Sequence, residues 1–213
     1  MAMMNIMGIP FEFEEYAKKL SYLEWKTMEP FGLANLRYIL QTGRGFSMIA
    51  GAASFWDPRE NVFRFQFTEL CPTIEEFSAI LHIPCDERTK MAVPVPKMKI
   101  EDVIAARSGL SKSAWQALIS RDPESPGIDM RVALEMLVRL KKKSPAWVAL
   151  IKILLVRLYL CEEPLGYRCS FRLFSVINQL KPRTSIMGVM LAKTLIYLDS
   201  VKKGRMMTRF FQG

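Results

Sequence analysis

The chain has 213 residues, 50% hydrophobic and 24% charged, a globular composition long enough to bury a substantial core as one domain. Its net charge of +9 is uneven: up to Val138 there are 15 Lys and Arg against 18 Asp and Glu, a net of −3, and from Arg139 onward 15 against 3, a net of +12. Four Cys at positions 71, 85, 161 and 169 form no CxxC pair and the one His is His82, which argues against a structural zinc site and for reduced thiols in a chain that is not secreted.

In chain order, Phe13, Tyr16, Ala17, Leu20 and Leu23 recur at spacings of three and four, which predicts one helix across residues 11–28, ended by Pro30 and Gly32. A shorter helix is expected from Leu33 to Gln41, closed by Gly43, and Phe46 to Phe55 is apolar enough for another. Asp57-Pro58 and Asn61 then supply turn chemistry, and Val62, Phe63, Phe65 and Phe67 favour a short strand or hairpin near residues 61–68. Phe63, Phe65 and Phe67 share one face, so with Trp56 they are expected to anchor the N-terminal helices. Thr73 is placed to cap a helix whose first turn holds Glu75 and Glu76, with Phe77, Ile80 and Leu81 as its apolar face and Ile83-Pro84 as its stop.

Residues 85–99 read as loop, and Lys99 to Ser120 as two short helices around Gly109. The Pro/Gly/Ser stretch at 122–127 is the candidate internal boundary. Helices follow at about 129–141, 146–161, 170–180 and 185–201. The apolar run from Ala146 to Leu160 would span roughly 23 Å as a helix, short of a hydrocarbon layer of roughly 30 Å. Lys152 and Arg157 interrupt it, so it reads as a buried core helix and no membrane partner is expected. The 14 Met fit helical core filling. The fold class is therefore mainly α, a single multi-helix domain with one short strand or hairpin.

Catalytic signatures are absent: there is no GxxxxGK[ST], no GxGxxG after a strand and no GxSxG. Any Ser–His or Cys–His pair would have to use His82, which sits at the end of an apolar helix and reads as structural. Glu75 and Glu76 look like a carboxylate pair but read as helix-capping groups. A lysine-dependent cofactor would need a buried Lys, and nothing in the sequence points to one. No catalytic residue, cofactor or metal is expected.

Glu101 to Ser120 has the form of a helix-turn-helix. Ala105 lets two helices approach, Gly109 suits a left-handed turn, Leu110 plugs it, Ser111 caps the second helix, and Trp115 and Leu118 face its core. Lys112, Ser113 and Gln116 would then face outward, where a DNA-reading version would contact the groove. With Lys141, Lys142 and Lys143 in the basic half, they form the candidate nucleic-acid site.

The block FWDPRENVFRFQFTELCPTIEEFSAIL, residues 55–81, resembles the signature of the plant mobile domain group and the related plant domains of unknown function. Its turn His82-Ile83-Pro84 is similar to a "GLP"-like turn, with His82 where Gly is frequent. Ala146 to Leu165, Ser185 to Leu198 and Gly204 to Gly213 are similar to further blocks in the same order, although Lys193 departs from an "LAET"-like helix. The chain is expected to lack the C-terminal core segment of that group. The resemblance implies a helical, transposon-derived domain, found elsewhere in transposable elements and in nuclear host proteins of transposon silencing and meristem maintenance. The label "aminotransferase-like" attached to the group finds no support in these residues. The expected function is a non-enzymatic protein-interaction domain in the nucleus with protein partners, and the alternative is a nucleic-acid-binding domain.

Overall fold

The computed structural model describes residues 11–41, 52–83, 85–95, 109–120, 127–160 and 167–203. The fold is mainly helical, with three small sheets of two or three strands among the described residues. Its organising element is α7, Pro145–Tyr159, capped by Ser144, whose side-chain oxygen accepts from the Trp147 amide at 3.2 Å. Pro145 fits the first helical turn, where its missing N–H costs nothing. From Ala146 to Leu158 no residue of α7 is exposed. A helix apolar on every side must be enclosed, and this one is the predicted core helix; among the described residues no helix is long and apolar enough to cross a membrane.

Several helices enclose it. α1, Phe11–Lys18, contributes Phe13 and Ala17; α6, Met130–Arg139, contributes Met130, Ala133 and Leu137; α8, Phe171–Gln179, contributes Leu173, Phe174, Val176 and Ile177. α5, Lys112–Leu118, adds Trp115 and Leu118. One polar relay crosses this core. Trp147 Nε1 donates to the Tyr16 hydroxyl at 3.1 Å, and that hydroxyl donates to the Leu137 carbonyl at 3.5 Å, joining α7, α1 and α6.

The helix expected over 11–28 is broken in two. α1 stops at Lys18, and Ser21 starts α2, Tyr22–Lys26, with a reciprocal capping box to Glu24. The Ser-x-x-Glu pattern there restarts the helix in a new direction, so Leu23 leaves the buried stripe and is exposed. A 3₁₀ turn at Glu29–Phe31 and left-handed Gly32 lead to α3, Leu36–Gln41, shorter than expected. The second half of the 46–55 expectation is helical at 52–54. Gly43, residues 46–51, the first helix of the 99–120 pair and residues 122–126 of the candidate boundary lie outside the described residues.

The expected hairpin is a three-stranded antiparallel sheet: β1, Trp56–Asp57; β2, Val62–Arg64; β3, Glu69–Leu70. It anchors a different part of the fold from the one expected. Trp56 and Phe63 pack with Ala53 against Leu195, Leu198 and Val201 of α9, Met187–Lys202, rather than against the N-terminal helices. Trp56 Nε1 donates to Asp199 at 2.7 Å, and Lys202 Nζ donates to the Ser54 carbonyl at 2.6 Å. α9 therefore joins the two clusters, because Met187 and Met190 near its start lie in the main core.

α4, Ile74–Ile80, starts as expected: Thr73 and Glu76 form a capping box, which fixes Glu76 as a capping carboxylate. The 85–99 loop holds a short strand β4, Lys90–Met91, paired in parallel with β7, Thr184–Ser185. β5, Gly127–Asp129, pairs with β6, Arg168–Ser170, and each strand ends in the residue that caps the next helix, Asp129 for α6 and Ser170 for α8. At Gly127 a Cβ would fall 2.7 Å from the Cys169 carbonyl oxygen, so the ribbon closes only on glycine. These strands of two or three residues are too short to give a period-2 signal.

Truncation of the buried anchor Trp56 to Ala should destabilise the protein by about 3–5 kcal/mol. Urea unfolding followed by near-UV dichroism would measure it, and an unchanged midpoint would mean that the sheet is not seated on α9.

Candidate functional site

The expected second helix of the helix-turn-helix exists as α5. Ser111 caps it, accepting from the Ala114 amide at 3.2 Å, and Gly109 has φ +76°. Lys112, Ser113 and Gln116 are exposed and Trp115 and Leu118 buried. A Cβ on Gly109 would lie 2.6 Å from Cβ of Pro145, so only glycine allows this approach. Gly109 therefore packs on the first residues of α7, and Lys141, Lys142 and Lys143, in the turn that precedes α7, are all exposed. Ala105 and the rest of the first helix lie outside the described residues.

The three lysines differ in their surroundings. Lys142 Nζ lies 2.7 Å from Glu24, a buried carboxylate that also accepts from the Ser21 amide at 2.7 Å. Burial alone would raise the pKa of Glu24, but the Lys142 hydrogen bond, the Ser21 hydrogen bonds and the Lys142 charge together hold it below the ordinary carboxylate value. Lys142 thus ties the α6–α7 turn to α2. Lys143 takes a left-handed backbone, φ +65°, as a turn between helices requires.

Other cations are also engaged within the fold, Arg157 in the basic half and Arg131 before that half begins. Arg157 is buried and its Nε donates to the Arg168 carbonyl at 2.7 Å. Arg131 stacks 3.5 Å from the Tyr167 ring centroid, beside the end of β5.

The hairpin carries a surface that the sequence reading assigned to the core. Phe67 is 89% exposed, Leu70 55%, Phe55 48% and Phe65 39%. The strand ends at Arg64 and turns back through a bond from the Phe65 amide to the Thr68 carbonyl at 2.8 Å, which puts Phe67 at the tip instead of on the Phe63 face. Phe55 and Phe65 stack at 4.9 Å. Arg64 bridges Asp57 and Glu69, each at 2.8 Å, and stiffens the sheet beneath the rings.

His82 is exposed with φ +51°, the left-handed position after a helix that Gly more often fills. Its carbonyl accepts from the Asn35 side chain, so its role is that of a helix stop. The Cys85 thiol is pushed up by burial and by the Glu75 and Asp86 charges, which suppresses thiolate formation. Cys71 is exposed and Cys169 buried, and among the described residues no group of three His, Cys, Asp or Glu could hold a metal ion.

The sequence reading missed two clefts. One, of about 300 Å³, lies between α1, α2 and α3, where Arg37 sits 4.6 Å from the Tyr38 centroid and 5.4 Å from that of Tyr22. The other, of about 210 Å³, lies between α5, α7 and α8 and includes Lys152 and Asn178 among apolar walls. Lys152 carries its ammonium 4.4 Å from the Phe31 ring centroid. The only hint in the sequence was a Lys inside an apolar helix.

A family model described as Domain of unknown function (DUF7745) matches residues 15–160, from within α1 to the end of α7 and including the hairpin and its aromatic tip. No curated protein and no solved structure matches the chain.

The Glu24–Lys142 pair gives a pH prediction with a definite sign. Because the Glu24 pKa is lowered on folding, its contribution is present above about pH 4.5 and is lost as the pH falls through the lower folded value. The melting temperature of Glu24→Gln, which keeps the capping amide, should therefore fall less steeply than wild type between pH 6 and pH 3. Lys141→Ser should track wild type throughout, and superimposable Glu24→Gln and wild-type curves would show that the pair is not coupled to folding.

Proposed function

We propose that this chain, which belongs to the DUF7745 family of domains of unknown function, is a non-enzymatic protein-interaction domain that docks partners on its aromatic hairpin. The observation that carries this reading is the exposure of Phe55, Phe65, Phe67 and Leu70 around a sheet seated on α9 through Trp56 and its bond to Asp199 and bridged on its other face by Arg64. Aromatic side chains contribute most to protein interfaces when they are presented with little entropy left to lose. A contiguous exposed apolar patch on a firm support is the usual mark of such a surface. The family match spans this hairpin without naming an activity, so the reading rests on the surface chemistry.

The likeness of the 55–81 block to the plant mobile domain group supports a finer version: a transposon-derived nuclear domain acting in transposon silencing or plant development. Pull-down from plant nuclear extract, repeated with each purified partner, tests it. Phe67→Ser with Leu70→Ser should remove those partners while stability shifts by only about 0.5 kcal/mol per site, as for other exposed positions. Equal recovery by the variant, or substrate turnover by the purified protein that a point mutation abolishes, would overturn the reading.

A second reading, nucleic-acid binding, is favoured by the exposure of Lys112, Ser113 and Gln116 on α5 and of Lys141, Lys142 and Lys143 in the turn before α7, whose first turn packs on Gly109. Contacts of this kind to phosphates make affinity fall steeply with salt. On this reading, duplex DNA binding weakens between 50 and 200 mM salt, and Lys141→Glu with Lys143→Glu flattens the slope. A flat wild-type slope, or no binding at low salt, would remove it.

A further inference from the structure

We propose that the cleft between α5, α7 and α8 is a binding site for a small apolar carboxylate, an aryl or short alkyl acid, with Lys152 as its charge partner. The walls are apolar: Trp115 from α5, Pro145 and Val148 from α7, Phe174 and Ile177 from α8. Trp115 and Phe174 meet edge to face at 5.3 Å, which offers an incoming ring both a face and an edge. Lys152 and Asn178 are the polar side chains at this site.

Lys152 is the unusual member. It projects from the most enclosed helix of the fold and is itself only partly exposed. Among the described residues no carboxylate pairs with it, and its ammonium rests over the Phe31 ring. Burial pushes its amine below the ordinary lysine value, as expected for a cation without a counter-charge. Other well-buried charges of this fold have partners, Glu24 in Lys142 and Arg157 in the Arg168 carbonyl. Lys152 lines an apolar cleft without such a charge partner, its ammonium held only over the Phe31 ring, and a ligand that brings a single negative charge on an apolar body would match it.

The dimensions select further. The cleft, about 210 Å³, is smaller than the roughly 300–1,000 Å³ of pockets for drug-sized ligands, so it suits one ring with a short acid chain. A phosphate or sulfate would have to give up its hydration against apolar walls, which disfavours it. A neutral apolar ligand would cover Lys152 without neutralising it. This site is separate from the hairpin, so either proposal can fail without the other.

The test uses the full chain, ¹⁵N-labelled, titrated with 4-phenylbutyrate while the Trp115 indole N–H resonance is followed; Trp115→Phe assigns that resonance. The controls are 4-phenylbutanol, isosteric and neutral, and 4-phenylbutylamine, of opposite charge. A saturable shift with the acid is expected, with binding at least tenfold weaker for the alcohol, for the amine, and for the acid against Lys152→Met. Equal affinity for acid and alcohol, undiminished binding by folded Lys152→Met, or no saturation with the acid up to its solubility limit would each overturn the proposal. If Lys152→Met does not fold, the acid–alcohol comparison in wild type decides alone.

Discussion

Helix α7 has no exposed residue from Ala146 to Leu158, and the rest of the molecule is arranged to cover it. A helix of 15 residues with apolar side chains at every angle must be covered all round. α1, α5, α6 and α8 supply that cover, and no two of them are neighbours in sequence except α5 and α6. Long-range coverage of this kind has to be registered, and the short β5–β6 ribbon does part of that work. It joins the strand entering α6 to the strand entering α8, so two covering helices start from one fixed place. The Tyr16 relay fixes a third contact by giving the Trp147 indole N–H a partner in the core and tying α1 to α6.

The same constraint explains where charge sits. Arg157 is tolerated on α7 because its guanidinium reaches a β6 carbonyl, a partner that the ribbon delivers. Glu24 is tolerated under α2 because Lys142 and the capping amide meet it. A low-dielectric interior penalises a charge steeply unless such partners are in place. The net of +12 after Arg139 is consequently a poor guide to a polyanion surface. Part of it is engaged by the fold itself, Arg157 in the interior and, at the surface, Lys142 on Glu24 and Lys202 on the Ser54 carbonyl at the hairpin base.

Much of the helical framework was legible in the sequence. Residues 130–139, 145–159, 171–179 and 187–202 fall within a few positions of the periodicity reading, and Thr73, Ser111 and Gly109 perform the expected caps and turn. The local signals were strong there because capping chemistry and a 3.6-residue repeat act over one or two turns. The break at Ser21 was missed because an apolar stripe continues numerically across a capping box that redirects the chain. The paired short strands were missed because two or three residues carry no period, and their partners lie far away in sequence. The Phe63-Phe65-Phe67 alternation misled for a related reason. Alternation assigns a face only while the strand continues, and this one ends at Arg64.

That last point bears on why kinship and function separate here. The residues of the stretch from Phe55 to Ile83, which lies within the family match, divide by position between two tasks. Trp56 and Phe63 face α9, and Thr73, Glu76 and His82 begin and end α4; these are architectural, and they would be retained by any domain that keeps the fold. Phe67 and Leu70 face water and contribute almost nothing to that architecture. A sequence pattern records both groups alike, as aromatic and apolar letters at fixed intervals. Only the three-dimensional placement distinguishes a ring that holds the sheet down from one that the sheet holds up. The fold is encoded by the first kind, so any function of this hairpin has to be sought in the second.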